Sequence, residues 1–150
     1  MENTSDFKNA PSPMSSEGYL TLRIGTAGGA LPIVGADIRI VGADPENEGV
    51  VYLLTSDQSG KTQRITLPAP PKTLSQSPGS AAESYATYNI TVFKDGFYTQ
   101  RILRLPVFPT VTSTQFVEMI PLPPFAPMQN PPTQELITVE KTPFSEGDSR

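Results

Sequence analysis

The chain contains no histidine and no cysteine among its 150 residues. Histidine is the side chain that most often acts as a general base near neutral pH, cysteine supplies thiolate nucleophiles, and both are common zinc ligands. Their joint absence removes most hydrolytic and redox mechanisms, as well as the usual zinc sites. We therefore expect a structural or binding module that is not an enzyme and that needs no cofactor and no metal.

Positive charge is also scarce. The chain has 11 Lys and Arg residues against 15 Asp and Glu residues, for a formal net charge of -4, and the basic residues are scattered. Binding to nucleic acid requires a basic stripe that displaces counterions from phosphates, so no nucleic-acid partner is expected.

Long apolar runs are absent as well. The longest weakly polar run, residues 27–36, is short and glycine-rich, whereas a membrane span needs about 20 apolar residues. Residues 1–16 lack the apolar segment of a signal peptide. We expect no membrane insertion and no classical secretion, and the sequence leaves the localisation otherwise open.

The chain is rich in turn-forming residues, with 17 prolines and 11 glycines. Residues 1–17 and 123–150 are polar and contain proline, and such segments bury too little apolar surface to offset their conformational entropy. We predict a flexible N-terminal tail at 1–17 and a proline-rich flexible C-terminal tail at 123–150. One folded domain then occupies residues 18–122.

Within this domain, apolar and polar side chains alternate with the two-residue period of a β-strand. The clearest inward-facing sets are Leu20, Leu22 and Ile24; Ala36, Ile38 and Ile40; and Tyr88, Ile90 and Val92. Glycine, proline and aspartate separate the strands, and Asp95-Gly96 is a pair that hairpins favour. We predict an all-β fold, a seven-stranded antiparallel β-sandwich.

Several details of these strands can be tested. The uncharged run 50–54 is typical of a central strand, since strands buried on both faces are apolar throughout. Pro68 is expected to end the fourth strand. In the sixth strand, at 98–105, Leu103 and Leu105 are predicted to point inward.

Two segments are candidate binding surfaces. Aromatic residues cluster around the predicted hairpin, and they could contact a partner or pack in the core. Phe93 and Tyr98 are the better candidates for the surface. The long connection 68–84 contains Pro70 and Pro71, which favour the extended polyproline conformation and would serve as a partner's ligand or as a spacer.

The acidic residues Asp44, Glu46 and Glu48 offer oxygen atoms that calcium could use. The segment lacks the fixed glycine and the bidentate glutamate of a calcium loop. We therefore expect a solvated turn.

The succession of Gly35-Ala36, Asp57 with Gly60, and Gly96-Phe97 among these strands resembles the carboxypeptidase regulatory-like, prealbumin-type sandwich, a fold related in shape to immunoglobulin domains. Four segments are similar to the N-terminal region of the clostridial spore cortex-lytic enzyme family: ALPIVGA at 30–36, LPAPP at 67–71, YATYNI at 85–90 and MIPLP at 119–123. This resemblance implies a non-catalytic accessory region of a spore or cell-wall protein from a Gram-positive spore former. The lytic domain of that family has no counterpart in these 150 residues, so cortex hydrolysis is not expected of them.

The leading hypothesis is therefore a structural or adaptor module of a spore or cell-envelope assembly that contacts a protein or peptidoglycan. Three alternatives stay open: a carbohydrate-binding module for peptidoglycan, a remnant cortex hydrolase, and a decoration protein of a phage virion.

Overall fold

The computed structural model describes residues 14–71, 85–124 and 133–137. These residues form nine strands: β1 (Ser16–Thr26), β2 (Leu31–Pro32), β3 (Asp37–Gly42), β4 (Val51–Thr55), β5 (Ile65–Ala69), β6 (Ala86–Phe93), β7 (Thr99–Val107), β8 (Thr112–Glu118) and β9 (Thr133–Ile137). Two short 3₁₀ helices lie at Ala27–Gly29 and Pro45–Asn47. The described part of the chain has no helix long and apolar enough to cross a membrane.

The strands form two sheets. In the smaller sheet β1 pairs with β2, β5 and β8, and in the larger sheet the order is β4-β3-β6-β7-β9. A single cluster of buried apolar side chains draws on strands of both sheets. The predicted β-sandwich is therefore confirmed as two packed sheets.

The finer topology differs from the prediction. The pairs β1–β8 and β7–β9 are parallel, so the sheets are mixed and the prediction of a purely antiparallel fold was wrong. The described residues also contain nine strands where seven were predicted. Two of these strands reach into the segments predicted as flexible tails, since β1 begins at Ser16 and β9 lies within residues 123–150.

The predicted inward faces are confirmed. The three sets on β1, around β3 and on β6 all lie in the core and are at most 2% exposed: Leu20, Leu22, Ile24, Ala36, Ile38, Ile40, Tyr88, Ile90 and Val92. Their alternation with exposed or half-buried neighbours follows from the pleat, which points successive side chains to opposite faces of a sheet.

The register of β7 departs from simple alternation. Tyr88 pairs with Leu105 but Ile90 pairs with Ile102. Two residues of β7, Leu103 and Arg104, therefore lie opposite the single residue Asn89 of β6. This β-bulge places Arg104 at φ 62°, and the Arg104 N–H donates to Asn89 Oδ1 at 3.0 Å. Because the extra residue shifts the period, Ile102 and Leu105 are buried, whereas Leu103, which was predicted to point inward, is only half-buried.

Pro68 does not end the fourth strand, because β5 continues to Ala69. Pro68 pairs with Glu17, whose carbonyl accepts from the N–H of Thr110 on the opposite side of β1. The Glu17 carbonyl therefore already has a donor and needs none from Pro68. Proline is tolerated at this position because its missing N–H is not required. The Pro68 carbonyl accepts a hydrogen bond from the Tyr88 hydroxyl at 2.6 Å.

Candidate interaction surface at the edge of the larger sheet

Strand β4 lies at the edge of the larger sheet, contrary to the prediction of a central strand. It pairs with β3 from Asp37–Thr55 to Val41–Val51, and no described residue pairs with its other side. An uncharged run is the signature of a strand buried on both faces, but here the topology leaves it at the boundary of the sheet.

The backbone of β4 alternates between the sheet and the open edge. The N–H of Gly42 donates to the carbonyl of Val50 at 3.0 Å, and the N–H of Ser56 donates to the carbonyl of Ala36 at 3.1 Å. In an antiparallel pair every second residue exchanges hydrogen bonds with the partner strand, so the even-numbered residues of β4 face β3. The odd-numbered residues, Val51, Leu53 and Thr55, direct their N–H and C=O groups away from the sheet.

The three residues whose backbone groups point to the open edge also have exposed side chains. Leu53 is 73% exposed and Val51 is 50% exposed. The strand contains no charge, no proline and no bulge, which are the features that usually prevent an edge strand from pairing with another chain. A row of unpaired backbone groups next to exposed apolar side chains is a template for a further strand.

Both ends of β4 are fixed to the rest of the fold. After the strand, the Ser56 hydroxyl donates to the carbonyl of Ile33 at 2.7 Å and accepts from the N–H of Ala36 at 2.9 Å. The next residue, Asp57, accepts hydrogen bonds from the N–H groups of Lys61 and Ser59, and these bonds lower the pKa of its carboxyl group. The turn that follows β4 is therefore tightly constrained.

The segment before β4 is tied to β6 through a buried carboxylate. Asp44 is 5% exposed and accepts hydrogen bonds from both the N–H and the hydroxyl of Thr87, at 2.7 and 2.8 Å. Asn47 accepts from the N–H of Asp44 and donates to the carbonyl of Thr87. Asp44 therefore does not lie in the solvated turn that was predicted, whereas Glu46 and Glu48 are exposed.

Two open depressions flank β4. On the outer face of the larger sheet, a depression of about 350 Å³ is lined by residues that include Arg39, Leu53 and Phe93. Beside the free edge, a depression of about 510 Å³ lies between Leu53, Thr55 and the segment 61–63. The second depression therefore borders the open edge of β4.

The structure separates the predicted binding residues. Phe93 is 39% exposed and lines the outer-face depression, whereas Tyr98 is half-buried and its N–H donates to the carbonyl of Ile120. Pro70 is buried and Pro71 is half-buried, immediately after β5.

Pro70 and Pro71 lie close to the Tyr88 end of β6. Phe93 lies five residues beyond Tyr88 on the same strand, about 17 Å away. The four residues do not form one surface. Residues 72–84 of the proline-rich connection lie outside the described residues.

The groups with altered acidity are structural. Burial raises the pKa of Tyr88 to about 12, and its hydroxyl is a hydrogen-bond donor to Pro68. Neither this phenol nor the Asp57 carboxylate is set to exchange protons near neutral pH. Within the described ranges, no group of three or more acidic side chains is arranged to hold a metal ion.

The smaller sheet carries two aromatic rings on its outer face. The guanidinium of Arg64 lies 4.8 Å from the centre of the Tyr19 ring, and that of Arg23 lies 5.8 Å from the centre of the Phe116 ring. Each ring therefore has an arginine over one face, in the arrangement of a cation–π contact.

Comparisons with known proteins support the fold alone. No protein-family model and no curated protein matches this chain. Among solved structures, the chain is similar to mercury-inhibited catechol 1,2-dioxygenase from an Acinetobacter species, with 14% identity and a TM-score of 0.50, over 86% of this chain and 60% of that one.

Two further similar structures have lower TM-scores. They are the minor pilin GBS52 of Streptococcus agalactiae, with 16% identity and a TM-score of 0.42 over 75% of this chain and 48% of that one, and the Bacillus anthracis TIE protein, with 13% identity and a TM-score of 0.46 over 71% of this chain and 17% of that one. This chain spans less than two thirds of each of these structures, and at these identities none of them passes an activity to it.

Proposed function

We propose that this chain is a non-catalytic structural or adaptor module that holds a protein partner along strand β4. The observation that carries the proposal is the free edge of β4, where no described residue pairs with the outward-facing backbone groups of Val51, Leu53 and Thr55 and where Leu53 is exposed. A partner in extended conformation would add a strand to the larger sheet. Its backbone would supply affinity, and its alternate side chains would meet the exposed side chains of Val51, Leu53 and Thr55.

A protein fits this edge better than a glycan. Sugar rings are bound by stacking on open aromatic faces, but the two aromatic rings on the outer face of the smaller sheet each have an arginine over one face. A strand partner, in contrast, uses the unpaired N–H and C=O groups that β4 already presents. This difference favours protein contact over the peptidoglycan-binding alternative.

The spore or cell-envelope setting and the prealbumin-type classification rest on the sequence resemblance. Two of the residues that carry the resemblance have structural roles: Ala36 is wholly buried beside β3, and Gly60 adopts φ 77° in the turn after β4. In that setting the chain would link components of an assembly without altering them.

The proposal is tested by selecting peptides from a displayed random library on the purified chain. We expect extended peptides with alternating apolar residues, and we expect Leu53→Lys to abolish their capture because it replaces the exposed apolar anchor with a charge. Thr114→Lys is the matched control, since Thr114 is an exposed position on the outer face of the smaller sheet. Backbone amide shifts on binding should centre on β4.

Two results would contradict the proposal. Peptides that bind Leu53→Lys as well as the unmodified chain would show that β4 is not the contact. Release of soluble fragments from purified cortex peptidoglycan by the chain would show that it is an enzyme.

A further inference from the structure

We infer that the strand added to β4 is β4 of a second copy, paired antiparallel across a two-fold axis at Leu53. This inference uses the edge on which the proposed function rests and names its occupant. Isologous two-fold pairing is the commonest form of self-association, and it requires a surface that is complementary to itself.

The hydrogen-bonding pattern of β4 has this self-complementarity. The three outward-facing residues are spaced symmetrically about Leu53, so Leu53 faces Leu53 of the second copy while Val51 faces Thr55. Each facing pair exchanges two hydrogen bonds, which gives six in all.

Other registers satisfy the edge less well. A shift of two residues leaves only two facing pairs and four hydrogen bonds. A shift of one residue brings outward-facing backbone groups opposite residues whose groups are already bonded to β3. The symmetric register is therefore the one that satisfies the most groups.

The side chains agree with the same register. On the outer face the leucine pair would remove two side chains, each 73% exposed, from water, and Val51 would lie beside Thr55. No charged side chain of β4 opposes its own symmetry mate, because the strand has none. The two larger sheets would continue as one sheet of ten strands.

The charges that flank the strand are of opposite sign. The antiparallel register places the start of β4 in one copy beside the end of β4 in the other, so the segment that precedes the strand, residues 46–49, and the turn that follows it, residues 57–60, lie at the same end of the interface. The first segment carries the exposed Glu46 and Glu48, and Lys61 follows the second and is exposed. The one acid in the second segment, Asp57, is already engaged by three hydrogen bonds from Ser59 and Lys61. The two-fold axis places these opposite charges at both ends of the interface.

Sedimentation equilibrium over a concentration series tests the inference. The unmodified chain is expected to dimerise, and Leu53→Lys should raise the dissociation constant by at least about tenfold, because it removes two apolar contacts and sets like charges opposite each other. Thr114→Lys should leave the dimer unchanged. Circular dichroism checks that both variants are folded.

Cysteine cross-linking tests the register. Because the chain has no native cysteine, every disulfide that forms joins introduced residues. Under mild oxidation Leu53→Cys alone should form a symmetric disulfide-linked dimer, because facing residues lie about 5.5 Å apart between Cα atoms. Val51→Cys and Thr55→Cys should cross-link to each other when mixed, and neither should cross-link to itself.

A chain that stays monomeric at all concentrations overturns this inference, and so does a dimer that Leu53→Lys leaves intact. If peptides are still captured at β4 in either case, the proposed function stands without the second copy. If capture is also lost, both fail.

Discussion

The substitution Tyr88→Phe should destabilise the protein near neutral pH and make it the more stable of the two proteins at alkaline pH. The Tyr88 hydroxyl donates to the Pro68 carbonyl, so its removal should cost about 1 kcal/mol of unfolding free energy near neutral pH. Burial raises the pKa of the folded-state phenol from 10.0 to about 12. In the unfolded chain the same phenol titrates near its ordinary value.

The sign of the pH dependence follows from proton linkage. Between about pH 10 and about pH 12 the folded state retains the Tyr88 proton while the unfolded state releases it, so rising pH favours unfolding. The difference of about two between the folded-state and unfolded-state pKa corresponds to about 2.7 kcal/mol of unfolding free energy. The unmodified chain should lose this much more stability than Tyr88→Phe, and so become the less stable protein by about 1.5 kcal/mol near pH 12.

Urea unfolding of the two proteins across this pH range measures the effect. All other titrating groups are shared, so their contributions cancel in the difference. The difference in ultraviolet phenolate absorbance between the two folded proteins reports the titration of Tyr88 directly. Stability curves that fall in parallel, without crossing, would refute the argument that this phenol is held neutral by burial.

Two further predictions concern the anchor that precedes β4. Gly42→Ala should destabilise the fold by about 3 kcal/mol in urea unfolding, because the added Cβ would lie 1.8 Å from the carbonyl oxygen of Asn47. Gly49→Ala is the control, since a Cβ there has nothing within 4 Å, and equal losses for both variants would contradict the packing argument. Thr87→Val should cost about 2 kcal/mol, because the buried Asp44 carboxylate loses a hydroxyl donor; a change below about 0.5 kcal/mol in thermal or urea unfolding would show that the network is not stabilising.

The inward faces of the strands were predictable because they depend on local alternation. Leu20, Leu22 and Ile24 are separated by exposed or half-buried residues, and the two-residue period alone assigns them to one face. The hairpin between β6 and β7 was equally local, since Asp95-Gly96 supplies the turn and Gly96 adopts φ 87°. Among the proposed site residues, Phe93 was correctly expected to be exposed.

The position of β4 in the sheet was not predictable from its own residues. An uncharged run suits both a central strand and an edge strand whose open side serves for contact, and only the pairing of distant segments distinguishes them. Leu53, the most exposed of the large apolar residues described, was therefore missed as a site residue. The bulge opposite Asn89 and the parallel pairing of β1 with β8 also depend on partners far along the chain.

The parallel pairing of β1 with β8 constrains how this protein can be made. Thr26 and Met119, which meet at one end of this pair, are 93 residues apart in the chain. During synthesis one side of β1 stays unpaired until β8 has left the ribosome. Loop closure over such a distance also slows folding. The growing chain therefore passes through a stage in which one side of β1 has no partner strand.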